Sequence, residues 1–270
     1  MGRAARLTLT TIAGAALAAC VGTTGGQLLS FPAAAAGPED AVAGQPLSFV
    51  SDLGWDVTLT EAKVHVGAMY LNQSIPVSGS QGTPCILPST YVAQVTSGLD
   101  VDALSPVPQP FPDDGSGVTV PPALAGQVWL TGGDVNTIGD PDPPVKVLVL
   151  EGTAAKGGVT MPFTGSITID KNRQVATTSG AAGGDPICQE RIVSPVSASV
   201  NLETRGGLLL RIDPRHLFTN VDFGSLAPSG ASFAFSDDPT SAAYTQASRN
   251  LYANLHSTSG LYTFEWDDAL

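Results

Sequence analysis

Ala62-Lys-Val-His-Val-Gly-Ala-Met-Tyr-Leu71 is the stretch that decides the fold. In an extended chain, successive side chains point to opposite faces. Ala62, Val64, Val66, Ala68 and Tyr70 then share one face, and Lys63, His65, Gly67, Met69 and Leu71 the other. An apolar face backed by a mixed one describes a half-buried strand.

Short β candidates recur on both sides. Leu47 to Val50, Asp56 to Thr60, Tyr91 to Thr96, Gly126 to Thr131, Val145 to Gly152, Val159 to Asp170, Arg191 to Leu202 and Gly207 to Ile212 read as short strands between Gly, Pro, Asn and Asp clusters. Val145 to Leu150 is apolar on both faces apart from Lys146, as a central strand would be. The segments between Leu104 and Pro122, and between Gly132 and Pro144, are rich in Pro and Asp and read as loops.

Two helical pieces are expected late in the chain. Asp213-Pro214 opens a short turn through Phe218, with proline at the first helical position. Asp238-Pro239 opens a longer helix through about His256, with Tyr244, Ala247, Leu251 and Leu255 on one stripe. Leu261 to Trp266 alternates again as a last strand. The expected architecture is all-β: an antiparallel β-sandwich with Pro/Gly-rich loops and one C-terminal α-helix packed on it.

Composition agrees. Of 270 residues, 43% are apolar and only 13% charged, against roughly 25% charged in an average globular domain. There are 30 Gly and 21 Pro, and the formal net charge is −12. Between Val64 and Val145 no Lys or Arg occurs, while Asp100, Asp102, Asp113, Asp114, Asp134, Asp140 and Asp142 do. A nucleic-acid backbone demands basic contacts, so that class of partner is excluded. Electrostatic attraction to anionic lipid heads is excluded on the same ground. Cations, a basic protein or peptide partner, or simple solubility remain.

The N-terminus is an address. Arg3 and Arg6 precede the uncharged run Leu7 to Leu17, and Ala18-Ala19 stand before Cys20. Leu17-Ala-Ala-Cys20 resembles the bacterial lipoprotein signal; the alternative is an ordinary secretory signal in which Cys20 is incidental. The resemblance implies cleavage before Cys20, diacylglycerol on its sulfur and usually a further acyl chain on its amine, which together anchor stably. Residues 1–19 are then a signal peptide, 20–45 a lipidated cysteine and flexible tether, and 46–270 a single domain. The implied location is the cell envelope, on the extracytoplasmic side of a bacterial membrane. No later apolar run approaches the roughly 20 residues that a spanning helix needs.

With Cys20 taken by lipid, Cys85 and Cys188 form an even pair in an oxidising compartment. A disulfide is expected, closing a loop of about 100 residues and worth up to about 4.7 kcal/mol in the chain-entropy model. The alternative, a two-thiolate metal site, lacks a CxxC pair and nearby histidines.

Catalytic motifs are missing: neither HExxH, GxSxG, a P-loop nor a dinucleotide fingerprint occurs. A glycosidase needs only two carboxylates, but the acids here sit in proline-rich loops and the chain has three Trp to stack on sugars. The expectation is no enzyme. For metals, His65 and Met69 are four apart on one predicted face, roughly 13 Å apart along a strand. Each would need ligands from elsewhere, and imidazole with thioether suits copper. The alternative places His65 on the solvent face and Met69 in a gap at the sheet edge. His216 and His256 read as a turn cap and a helix C-terminal residue. Asp134-Val-Asn136-Thr-Ile-Gly-Asp140-Pro-Asp142 has the alternating oxygens of a calcium loop, but Val145 stands at position twelve where an EF-hand has Glu. A solvated acidic loop is the alternative.

Val57-Thr-Leu-Thr-Glu-Ala-Lys-Val-His-Val-Gly-Ala-Met-Tyr-Leu71, Arg211-Ile-Asp-Pro-Arg-His-Leu-Phe-Thr-Asn-Val-Asp-Phe223 and the segment Leu251 to Trp266 resemble exported β-rich lipoproteins of unassigned function. The first segment is also similar to the opening strands of periplasmic copper-binding proteins that partner methanobactin uptake. That resemblance implies a β-sandwich holding copper by histidine and an oxidised tryptophan; those ligands match no positions here, so no site is carried over. The functional expectation is a membrane-anchored cell-envelope lipoprotein acting as a non-catalytic binding or interaction module. The alternative is an extracytoplasmic copper-binding protein, which requires at least two of His65, Met69, His216 and His256 to converge.

Overall fold

The computed structural model describes residues 26–75, 90–131, 144–169, 191–229, 232–258 and 260–270. Their strands, in chain order, are β1 (Leu28–Phe31), β2 (Ala33–Ala36), β3 (Leu47–Val50), β4 (Asp56–Val66), β5 (Ala68–Asn72), β6 (Tyr91–Val95), β7 (Leu99–Asp102), β8 (Gln109–Pro110) and β9 (Gly115–Val118). There follow β10 (Ala123–Trp129), β11 (Val145–Lys156), β12 (Val159–Ile169), β13 (Ile192–Val200), β14 (Gly207–Ile212), β15 (Ala227–Ser229), β16 (Ser232–Ala234) and β17 (Tyr262–Asp267). Among the described residues one α-helix occurs, α1 (Gln246–Leu255).

The first sheet runs β1-β9-β6-β5-β10-β13, the second β15-β16-β12-β11-β4-β3 with β7 also on β4, and the third β17-β14-β2-β8. Only β12–β16 and β14–β2 pair in parallel among these. One set of buried side chains, including Phe31, Val64, Leu148, Phe163, Leu210 and Leu251, draws on all three sheets and on α1. The fold is all-β and sandwich-like, as the alternation indicates.

The decisive stretch is two strands, not one. β4 ends at Val66 in the second sheet and β5 begins at Ala68 in the first, with the Gly67 amide donating to Trp129 O at 2.7 Å between them. A chain that passes from one layer to the facing layer finds the core on its other side, so the inward parity must flip. Ala62, Val64 and Val66 face the main core; beyond Gly67 it is Met69 and Leu71 that do. Ala68 and Tyr70 turn outward to a smaller cluster with Trp129 and Ile192.

The tether expected over 20–45 is corrected in its second half. β1 and β2 are strands, and Ala33, Ala34, Ala35 and Ala36 are all buried. β2 lies between β14 and β8 in the third sheet. Alanine has no size or periodicity to advertise such a position. The expected loop from Leu104 to Pro122 likewise contains β8 and β9. A Cβ on Gly115 of β9 would overlap the Phe31 ring, and one on Gly117 would stand 2.6 Å from Leu202 Cδ2. Glycines chosen for close approach removed the strand signal.

The late elements follow their caps. The Asp213 carboxylate accepts from the Arg215 amide at 3.0 Å and opens a 3₁₀ turn, Pro214–Phe218. The expected helix start at Asp238 is corrected to Gln246. Asp238 caps only a local turn, accepting from the Thr240 amide at 2.8 Å, while Thr245 is the residue in extended conformation that caps α1. Ala247, Leu251 and Leu255 face the core. β17 pairs along β14 as the last strand.

Candidate functional site

Cross-strand register puts His65 of β4 opposite Asp100 of β7, and Lys63 opposite Asp102. His65 Nδ1 lies 2.6 Å from Asp100 Oδ1, at a position where the histidine side chain is 23% exposed and the aspartate 77%. Gly98 packs by the imidazole edge, its Cβ position 3.6 Å from Nε2. Lys63 Nζ reaches Glu61 at 2.6 Å, and the Glu61 carboxylate beside it holds the amine above its ordinary range. This is a solvated, charge-alternating face at the β4–β7 edge.

Met69 is elsewhere. It is fully buried between the sheets, paired in register with Val95 and Val128. The parity flip at Gly67 separates it from His65, correcting the shared face that spacing alone predicts. His216 sits in the 3₁₀ turn, 4.0 Å from Asp213 and packed on Gly260. His256 is the C-cap residue of α1, its Nδ1 3.0 Å from Tyr252 O. The four candidate ligands therefore stand on four different elements. Among the described residues, no three His, Cys, Asp or Glu gather as a metal would need. Cys20, Cys85, Cys188, Asp134, Asn136, Asp140 and Asp142 lie outside the described residues.

Two clusters escaped the sequence reading. In the first, Arg215 grips Asp40 through both guanidinium ends at 2.8 and 3.0 Å and holds Asp213 at 2.8 Å. Arg211 bonds Glu265 and Glu39, each at 3.1 Å. Hydrogen bonding to Arg215 holds the Asp40 carboxyl below its usual range, and the two aspartates raise the arginine. Two arginines with an aspartate between them, in Arg211-Ile-Asp-Pro-Arg215, were the available signal; their partners at Glu39 and Asp40 fell in the supposed tether.

The second is a buried polar and aromatic patch on the outer face of the first sheet. Tyr70 packs on Trp129 and Tyr91 with ring centroids 4.9 and 5.1 Å apart, and the Arg191 guanidinium lies 5.8 Å from the Trp129 ring. Trp129 Nε1 donates to Gln127 Oε1 at 3.0 Å. Among the described residues, both amide atoms of Asn72 and the Thr131 hydroxyl are buried with no hydrogen-bond partner. Burial pushes the Tyr91 hydroxyl up, with Gln127 facing it and pulling the other way. Period-two alternation cannot reveal such a patch, because Tyr and Trp read as core on either face.

No family model matches the chain, and no curated protein matches it significantly. Among solved structures, MbnP from Methylosinus trichosporium is similar at 12% identity over 81% of this chain and 87% of that chain, with a TM-score of 0.36. A score at that level is too low to carry fold or function from one protein to the other.

Proposed function

We propose that this chain is a cell-envelope lipoprotein, held to an extracytoplasmic membrane surface through Cys20, that acts as a non-catalytic interaction module for a basic protein or peptide. The observation that carries this reading is the polarity of the domain. The chain enters at Gly26, beside the Leu28 end of β1, while exposed Asp113 and Asp114 stand at the other end of that strand pair, just before Gly115, which pairs with Phe31. Asp113 N donates to Ser97 Oγ at 3.3 Å, which brings the β6–β7 connection, and the exposed Asp100 of β7 that follows it, to the same side. Exposed carboxylates at the end away from the anchor attract cationic groups and repel one another, a field suited to steering a basic partner.

The test uses the full chain reconstituted in vesicles, with a lysine-rich peptide as probe. Asp100→Asn, Asp113→Asn and Asp114→Asn combined are expected to weaken binding at least tenfold, and wild-type binding should fall as salt screens the charges. Equal binding by wild type and the triple variant sinks the reading. For the anchor, the intact mass of the chain from a bacterial host should carry acyl groups, and Cys20→Ala should leave the membrane fraction.

A second reading, copper binding, is favoured by His65. A carboxylate on Nδ1 fixes the imidazole and leaves Nε2 as the coordinating atom, the usual arrangement of a metal-bound histidine. On this reading the remaining ligands are other than Met69. Copper titration of wild type against His65→Ala decides it: equal uptake by both ends the reading.

A further inference from the structure

We infer that the end of the first sheet where the chain enters the domain rests on the bilayer itself, its apolar rim dipping into the lipid interface. The inference builds on the Cys20 anchor of the preceding reading and adds a docking face and an orientation. Register places the rim. The Gln27 amide donates to Thr119 Oγ1 at 2.9 Å and Gln27 O accepts from the Thr119 amide at 3.0 Å, so Gly26 lies beside Val120. Leu28 pairs with Val118, Ala125 with Asn72, and Asn72 with Tyr91. The start of β1, the end of β9, the start of β6, the end of β5 and the start of β10 thus share one end of the sheet.

Four large apolar side chains project from that end into solvent: Leu28 at 77% exposure, Ile75 at 63%, Leu124 at 53% and Val120 at 48%. In a chain of net charge −12, residues 26–29, 72–75, 90–93 and 117–126 contain no Asp, Glu, Lys or Arg, while the end of β13, whose Val200 pairs with Ala123, is followed by exposed Glu203. An exposed apolar rim with so little charge is costly in water and suited to a lipid interface.

Chain length chooses the occupant. Six residues from Cys20 to Gly26 span at most about 22 Å when fully extended. A domain of this size has a radius of gyration of about 17 Å, so the leash is shorter than the domain is wide. The lipidated cysteine therefore keeps the rim around Gly26 toward the membrane and the Asp113–Asp114 end away from it. With no basic side chain at the rim, contact depends on apolar insertion and not on lipid charge.

The experiment uses the full lipidated chain in phosphatidylcholine vesicles containing bromolipid. A dansyl side chain is introduced at position 28, 120 or 124, or at position 159, an exposed apolar position on the turn of the β11–β12 hairpin. Quenching at 28, 120 and 124 is expected to exceed that at 159 at least threefold, unchanged by 0.5 M salt or by anionic lipid, and to be lost at 120 in a Leu28→Asp/Leu124→Asp variant. Equal quenching at all positions, with the chain still on the vesicles, overturns the docking face and leaves the anchor standing. A blue-shifted dansyl at 28 without bromolipid quenching means that a second copy covers the rim, which also overturns it. A chain with an unmodified Cys20 that stays in solution removes the anchor, and the docking face with it.

Discussion

Arg215 holds Asp40 in a two-pronged ion pair across 175 residues of sequence, tying the segment after β2 to the 3₁₀ turn after β14. Asp40 is well exposed, so the pair is worth no more than about 1 kcal/mol at neutral pH. Its pH dependence has a definite sign. The folded-state pKa of Asp40 is lowered, so its contribution is complete above the unfolded value, about 3.9, and is lost as pH falls through the folded value. Asp40→Asn should therefore be less stable than wild type at pH 7 and equal to it well below pH 3. Urea midpoints at the two pH values check this; a gap that widens on acidification would refute it.

Met69 and His65 should behave as residues of opposite kinds. Met69 is a fully buried side chain, and Met69→Ala is expected to cost about 2–5 kcal/mol. That loss should be the same with and without copper, because the side chain packs and does not coordinate. His65→Ala, at a partly exposed edge, should cost less than about 1 kcal/mol. Denaturant unfolding of both variants, each with and without copper, separates packing from ligation.

Much of the sandwich was legible because its strands are short runs of large apolar residues between Gly, Pro, Asn and Asp clusters. β3 and β14 keep the expected bounds, and Tyr262–Asp267 closes the chain as a strand. What stayed hidden was written in small residues. Ala33 to Ala36 are buried strand residues, and at Gly115 and Gly117 neighbouring groups come too close for a larger side chain; composition alone makes such segments look like linkers. The His65–Met69 pairing failed for a different reason. Spacing specifies a shared face only while a strand stays in one sheet, and the layer change at Gly67 has no marker beyond the glycine itself.

Gly126 offers a direct test of that close approach. The Phe264 ring of β17 lies over its α-carbon, where an added methyl would overlap the ring. Gly126→Ala should destabilise by about 1–3 kcal/mol through overpacking. Phe264→Leu opens the space at its own cost, so the double variant should be more stable than the sum of the two losses predicts, by at least 0.5 kcal/mol. Strict additivity in thermal or urea unfolding would mean the two groups do not meet.

The N-terminal boundary makes the most consequential prediction for handling the protein. A chain begun at Gly37 would look reasonable if residues up to 45 were a tether, yet it lacks β1 and β2. It would lose Phe31, which is buried and stacked edge-on at 5.3 Å from Trp266, and truncating such a phenylalanine alone costs about 3–5 kcal/mol. It would also strip β14 of its parallel neighbour and β9 of an edge partner, exposing backbone donors on both. Against a typical domain stability of about 5–15 kcal/mol, those losses are disabling. The chain from Gly37 should aggregate or unfold without a cooperative transition, whereas one begun at Gly26 should melt sharply. Near-UV circular dichroism distinguishes them, since the Trp266 signal depends on Phe31 being in place. A Gly37 chain that melts as sharply as the Gly26 chain would return β1 and β2 to the role of a tether.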